Sequence, residues 1–92
     1  FLGWRLMRFV GNPALLVDEP LNELMLERPR VRVRGRAERE SQLTVNGREL
    51  RIDEIGNFDE EIELLAGLNT LEFLVQDRFG KENSVTRYVL VK

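Results

Sequence analysis

Residues 45–58 read Val-Asn-Gly-Arg-Glu-Leu-Arg-Ile-Asp-Glu-Ile-Gly-Asn-Phe, and residues 67–80 read Gly-Leu-Asn-Thr-Leu-Glu-Phe-Leu-Val-Gln-Asp-Arg-Phe-Gly. A glycine or an Asn-Gly pair recurs about every ten residues in this half of the chain, and apolar residues alternate with polar ones in between. Alternation with a period of two predicts strands with one buried face. Short strands separated by regularly spaced turns are typical of an all-β sandwich.

The dipeptide Asn46-Gly47 predicts a β-hairpin, because both residues tolerate the positive φ that a type I′ turn requires. Leu43-Thr44-Val45 leads into this turn and Leu50-Arg51-Ile52 leaves it. Residues 24–26 are expected to continue an edge strand that starts near Leu15. We predict about seven short antiparallel strands and no helix of ordinary length after residue 10.

Composition narrows the range of functions. The 92 residues allow one domain and leave no room for a second core. The chain has neither histidine nor cysteine, which removes the usual zinc ligands, the commonest general base and one class of nucleophile. A net charge of −2 argues against nucleic-acid binding by the whole domain. The sequence therefore predicts a non-catalytic domain without cofactor or metal.

The first ten residues, Phe-Leu-Gly-Trp-Arg-Leu-Met-Arg-Phe-Val, are apolar and aromatic with two arginines. Trp4, Arg5 and Arg8 are the residue types that anchor the end of a membrane span at the headgroup level. We therefore predict a juxtamembrane or linker segment over residues 1–12 and a sandwich over residues 13–92. The alternative is an ordinary first strand or a short helix packed on the sandwich. Exposed as a fragment, residues 1–10 are also expected to favour self-association.

An arginine stripe is the sharpest anomaly in the sequence. Alternation over residues 29–37 places valines on one face of a strand and arginines on the other, and the stripe comprises Arg28, Arg30, Arg32, Arg34 and Arg36. One hypothesis is an anion-binding face for an acidic envelope polymer or lipid headgroups. The other is a solvated, ion-paired face, in which Glu61 and Glu63 of a partner strand lie beside the arginines.

The acidic and aromatic side chains suggest further binding hypotheses, a metal site and a sugar-stacking site. The acidic residues around the turn at 53–61 resemble a calcium site only loosely, since no Asp-x-Asp-x-Asp-Gly loop is present. Phe58 and Phe73 fit a core. Phe79 is expected to plug its turn, which leaves Tyr88 as the other aromatic residue available for stacking on a sugar.

The turn residues resemble those of a known family. The positions concerned are Gly35, Val45-Asn46-Gly47, Ile52-Asp53, Gly56-Asn57-Phe58, Leu64, Gly67-Leu68-Asn69, Asp77 and Gly80. Together they resemble bacterial immunoglobulin-like domains of the glucodextranase-B-like type, from about Leu15 to Lys92. The resemblance implies an immunoglobulin-like β-sandwich and says little about function, because such domains act as spacers and binding modules in unrelated surface proteins. Glu54-Ile55 departs from the pattern, since small polar residues are expected there, and Ile55 is either a loop contact or packed inward.

The order of parts is similar to a narrower group. A segment that is apolar, aromatic and basic, followed by a proline and one such domain, resembles the outer part of single-span bacterial proteins that carry a cytoplasmic helix-turn-helix domain. This resemblance implies a non-catalytic interaction or spacer domain on the extracytoplasmic side of the bacterial membrane, with a protein or envelope polymer as partner. The alternative is an accessory module of a secreted carbohydrate-active enzyme.

Overall fold

The computed structural model describes residues 13–92, in which eight β-strands form two sheets. The strands are β1 (Leu15–Glu19), β2 (Leu24–Leu26), β3 (Arg30–Ala37), β4 (Gln42–Val45), β5 (Arg48–Leu50), β6 (Asn57–Glu63), β7 (Gly67–Gln76) and β8 (Glu82–Val91). One sheet has the order β1-β3-β6 and the other the order β2-β8-β7-β4-β5. The predicted all-β sandwich is confirmed, with eight strands in place of about seven. The predicted membrane-proximal anchor, Trp4, Arg5 and Arg8, lies outside the described residues.

One strand pair differs from the expected antiparallel pattern. β2 pairs in parallel with β8, so the prediction that residues 24–26 continue the first edge strand is wrong. Pro20 follows β1 and has no N–H to donate to a neighbouring strand. Glu23 then turns the chain with a φ of 61°, and its N–H donates to the carbonyl oxygen of Tyr88 at 2.8 Å. The chain thereby leaves the three-stranded sheet and joins the five-stranded one.

The core lies between the two sheets and consists of the inward residues of each alternating strand. Phe58 on β6 and Phe73 on β7 are both fully buried, as predicted, and their ring centroids lie 6.2 Å apart across the sandwich. Valines and leucines surround them, namely Leu15, Val17, Val31, Val33, Leu43, Val45, Leu50, Leu71, Val75 and Val89. This core closes one face of each sheet and leaves the opposite faces to carry function.

Gly35 is required by packing rather than by backbone conformation. A Cβ atom at this position would lie 2.0 Å from the carbonyl oxygen of Leu16 and 2.9 Å from Cζ of Phe58. Any side chain here would push β1 and Phe58 away from β3. Gly67 presents the opposite case, with a φ of +98° and open space where a Cβ would be.

Arg87 links the two sheets where β8 approaches β1. It faces inward beside the buried Val89 position, and its Nε donates to the carbonyl oxygen of Pro20 at 3.1 Å. Its Nη2 donates to the carbonyl oxygen of Val17 at 3.2 Å. A half-buried guanidinium group therefore satisfies two main-chain acceptors at the edge of the smaller sheet.

We expect Gly35→Ala to lower the free energy of unfolding by about 2–3 kcal/mol, because the core must open to admit the methyl group. Gly67→Ala is the matched control, since it meets no atom and costs only the strain of a left-handed backbone, about 1–2 kcal/mol. Urea denaturation of both variants measures the difference. Equal losses would contradict the packing argument for Gly35.

We expect Arg87→Met to cost about 1–3 kcal/mol, because partly buried carbonyl oxygens lose their donors. Arg87→Lys keeps the charge but has one ammonium group in place of the guanidinium fork, so it should fall between the wild type and Arg87→Met. Urea denaturation at neutral pH provides the comparison. If Arg87→Met had the same urea midpoint as the wild type, water would be replacing the guanidinium group with no loss of stability, and the prediction would be wrong.

Candidate binding surfaces

The outer face of the three-stranded sheet is densely charged. Alternation along β3 buries Val31 and Val33 and exposes the arginines on the other side. β3 pairs antiparallel with β6, which sets Arg30 opposite Glu63, Arg32 opposite Glu61 and Arg34 opposite Asp59. The sheet register thus lays a row of carboxylates beside the row of guanidinium groups.

Most of the stripe has partners within this face. Arg30 Nη1 lies 3.8 Å from Glu61 Oε1, and its Nη2 lies 4.0 Å from Glu63 Oε2. Arg32 binds Asp59 with both ends of its guanidinium group, with Nε to Oδ1 at 2.8 Å. Arg30 therefore pairs with the directly opposite Glu63 and with the diagonal Glu61, whereas Arg32 pairs with the diagonal Asp59.

The two remaining strand arginines are also engaged. Arg34 Nη2 lies 3.6 Å from Glu19 Oε2 on β1, and Arg36 Nε donates to Asn57 Oδ1 at 3.2 Å. Sequence reasoning named Glu61 and Glu63 but missed Asp59 and Glu19. Asp59 lies two residues before Glu61, so the same alternation predicts that both side chains are on the outer face of the strand, and Asp59 could have been named from the sequence. Glu19 was not, because its position depends on the register of β1 against β3.

Arg28 does not belong to the stripe. β3 begins at Arg30, and Arg28 lies exposed in the connection before it. For the other four arginines, an incoming anion must compete with carboxylates or an amide already in place. The geometry therefore favours the ion-paired face over an anion-binding one.

The outer face of the five-stranded sheet has a different chemistry. Tyr88 lies directly opposite Thr70, and Thr86 lies directly opposite Glu72. The same face carries further hydroxyl groups, on Thr44 and Ser84. A shallow groove of about 360 Å³ follows this face, lined by Thr44, Asn46, Gly47, Glu72, Leu74 and Ser84. This surface thus combines hydroxyl and amide groups with the apolar side chain of Leu74 and the carboxylate of Glu72.

The predicted hairpin forms one wall of the groove. Asn46 and Gly47 have φ values of 52° and 84°, as a type I′ turn requires. Asn46 Nδ2 donates to the carbonyl oxygen of Thr70 at 2.9 Å, and its Oδ1 accepts from the N–H of Glu72 at 2.9 Å. The asparagine therefore ties the hairpin to β7 and holds the groove in shape.

The acidic residues around 53–61 are occupied within the fold. Asp53 Oδ1 accepts from the N–H groups of Ile55 and Asn57, and Glu60 Oε2 accepts from the N–H of Arg51 at 2.8 Å. Within residues 13–92, no group of three or more acidic side chains is arranged to hold a metal ion. No helix among these residues has the length and apolar character needed to cross a bilayer.

The Arg32–Asp59 pair makes stability depend on pH. The hydrogen bond from Arg32 holds the pKa of Asp59 below its ordinary value of 3.8, and the same pairing raises the pKa of Arg32. The unfolded chain therefore takes up a proton on Asp59 at higher pH than the folded chain does. The stabilisation is fully present well above pH 3.8 and is lost as the pH falls through the folded-state pKa.

We expect Asp59→Asn to lower stability at neutral pH, and the difference from wild type to shrink as the pH falls below about 4. Both groups are exposed, so salt should reduce the difference as well. Asp18→Asn on β1 is the control, since Asp18 has no ion pair among residues 13–92. Urea denaturation at several pH values and salt concentrations tests this, and a difference independent of both would contradict the ion-pair account.

Comparison with known proteins identifies the family of this domain. The family model described as glucodextranase, domain B, matches residues 13–92, which contain all eight strands. A comparison with curated proteins found no match. The match covers most of the chain, and this chain therefore belongs to the family of glucodextranase domain B.

Proposed function

We propose that this domain is a non-catalytic accessory module of a larger carbohydrate-active protein. The observation that carries the proposal is the family match over residues 13–92, because that family is named for one domain of a glucodextranase. The alternative drawn from the sequence is thereby better supported than the membrane-anchored hypothesis that the sequence put first.

The contrast between the two sheet faces supports a neutral, hydroxyl-rich ligand. On the arginine face, a ligand that uses the guanidinium groups must compete with carboxylates already paired to them. The hydroxyl groups of Thr70, Thr86 and Tyr88 act as both donors and acceptors, as sugar hydroxyl groups do. Tyr88 is 45% exposed and offers the apolar ring face on which a sugar ring packs. We place the carbohydrate contact on the outer face of the five-stranded sheet.

The contacts of the two serines are local. Ser41 Oγ donates to the carbonyl oxygen of Glu38, which is a local turn contact. Ser84 is exposed on β8, and its N–H donates to Asn83 Oδ1 at 2.9 Å. Neither hydroxyl group donates to a side-chain base among residues 13–92, as an activated nucleophile does.

Affinity electrophoresis through gels that contain dextran or another neutral polysaccharide tests the proposal. We expect retardation of the wild type and at least a fivefold weaker interaction for Tyr88→Ala, since the substitution removes the apolar ring face on which a sugar packs. Phe79→Ala is the matched control, because Phe79 is a more exposed aromatic residue away from this face. No retardation on any polysaccharide, or equal losses for both variants, would contradict the placement on this face.

A second candidate is a spacer or interaction domain held on the extracytoplasmic side of a bacterial membrane, with a protein or an envelope polymer as partner. It is favoured by the apolar, aromatic and basic residues 1–10, including Trp4, Arg5 and Arg8. Vesicle co-sedimentation of the full chain tests it. This candidate predicts binding that Trp4→Ser with Phe9→Ser abolishes, and a failure of the wild type to bind would contradict it.

A further inference from the structure

Two loops of the sandwich have the same construction. Residues 53–57 read Asp-Glu-Ile-Gly-Asn and residues 77–81 read Asp-Arg-Phe-Gly-Lys. In each, the first Asp Oδ1 accepts from the N–H groups two and four residues later, at 2.8–3.0 Å. In each, the glycine N–H donates to the Asp carbonyl oxygen at 3.0 Å and the glycine has a positive φ. The backbone of both loops is thus fixed by the same internal hydrogen bonds.

The third residue of each loop is a large apolar side chain in solvent. Ile55 is 60% exposed and Phe79 is 75% exposed. The prediction that Phe79 plugs its turn is therefore wrong, because the Asp77 carboxylate and the main chain already fill that role. We call Ile55 and Phe79 the tip residues. Rigid loops hold both of them away from the core, so their exposure is built into the fold.

The strand register places both loops at one end of the sandwich. The carbonyl oxygen of Gly56 accepts from the N–H of Ala37, the last residue of β3, at 2.7 Å. The other loop follows Gln76, which pairs with Gln42 at the start of β4. Arg78 Nη1 lies 3.2 Å from Glu40 Oε1 in the connection between β3 and β4. The tip residues therefore flank this connection from its two sides.

The chain enters the sandwich at this same end. Asn83 Nδ2 donates to the carbonyl oxygen of Pro13 at 3.0 Å, and the N–H of Ala14 donates to Glu38 Oε1 at 3.0 Å. We call this end, formed by residues 13–15, 37–42, 53–57 and 76–83, the entry end. Whatever residues 1–12 bind must lie within about 40 Å of it, the reach of twelve extended residues.

We propose that the entry end is a lipid-contacting surface, on which Ile55 and Phe79 enter the interface of the bilayer that residues 1–10 bind. The proposal rests on the second candidate function. Residues 1–10 are mostly apolar, and so are the tip residues. Residues 1–10 are also joined covalently, through residues 11 and 12, to the end of the sandwich that carries the tip residues. In water, the apolar surface of Ile55 and Phe79 is exposed. At the headgroup boundary of a bilayer that surface would be buried, which is favourable.

The charges of the entry end are compatible with a zwitterionic bilayer. Asp53 and Asp77 are turned into their own loops, Glu38 is bonded to Ala14, and Glu40 is paired with Arg78. The Arg78 guanidinium carbon also lies 5.3 Å from the centroid of the Phe79 ring, an arrangement suited to the headgroup level. Two acidic side chains, Glu54 and Glu82, and two basic ones, Arg39 and Lys81, are also exposed at this end, so their charges balance and we expect no requirement for anionic lipid.

The test is co-sedimentation of the full chain with phosphatidylcholine vesicles. We expect Ile55→Ser with Phe79→Ser to lower the partition coefficient about tenfold or more, given the apolar area removed. Met25→Ser with Leu68→Ser is the matched control, since these residues are 56% and 70% exposed and lie on strands at the opposite end, in register with Leu90. The control should bind within twofold of wild type. Circular dichroism checks that both variants remain folded.

Different failures have different meanings. Equal losses in the tip and control variants would overturn the proposal, because general hydrophobicity would explain them. Binding that is abolished by Trp4→Ser with Phe9→Ser but unchanged in the tip variant would overturn it while leaving the second candidate function intact. No binding by the wild type would overturn both and leave the accessory-module function standing. Sedimentation velocity without lipid covers self-association, and dissociation of a dimer by the tip substitutions would assign the surface to a second copy instead.

A spectroscopic readout tests insertion directly. Trp4 is the one tryptophan of the chain, so Phe79→Trp in a Trp4→Phe background reports on the tip alone. We expect its emission to shift to shorter wavelength on vesicles. Leu68→Trp in the same background should not shift, and identical behaviour of the two reporters would overturn the proposal.

Discussion

The contact between Phe58 and Phe73 is the constraint on which the rest of the structure depends. The two rings meet across the sandwich, one from each sheet, and both are fully buried. Phe58 reaches this position only because Gly35 on the neighbouring strand has no side chain to exclude it. The close approach of β1 to β3 depends on the same glycine. One absent Cβ therefore permits both the pairing of the smaller sheet and the packing of the larger sheet against it.

The core decides the outer faces, because a strand with a period of two has no freedom to place its polar residues elsewhere. Once Val31 and Val33 are buried, the arginines of β3 must share the outer face with the carboxylates of β6. That face becomes a network of ion pairs. The outer face of the five-stranded sheet carries five hydroxyl groups, on Thr44, Thr70, Ser84, Thr86 and Tyr88, and these keep hydrogen-bonding capacity available. The difference between the faces supports a ligand contact on the larger sheet.

The loops at the entry end, unlike the strands, are held by hydrogen bonds within each loop. Their aspartates and glycines satisfy the main chain locally, so the side chain at the third position is free of any structural duty. Large apolar residues at both of these positions are therefore unexplained by stability alone. Pro13 lies at this end, whereas β8 ends at Val91 beside β2, at the opposite end. The tip residues thus lie at the end where the described chain begins, at Pro13.

The sequence by itself determined the strands, the Asn46-Gly47 hairpin, the buried phenylalanines and the arginine stripe of β3, because each depends on local periodicity or on turn geometry. Only the tertiary structure decided the partners. It paired β2 with β8, set Glu19 and Asp59 beside the arginines, turned Arg87 toward the carbonyl oxygens of Val17 and Pro20, and left Phe79 in solvent. Alternation within a strand predicts the sheet face on which a side chain lies. The residues that it contacts on that face depend on the register between strands that are far apart in the sequence. That register is set by packing of the whole core.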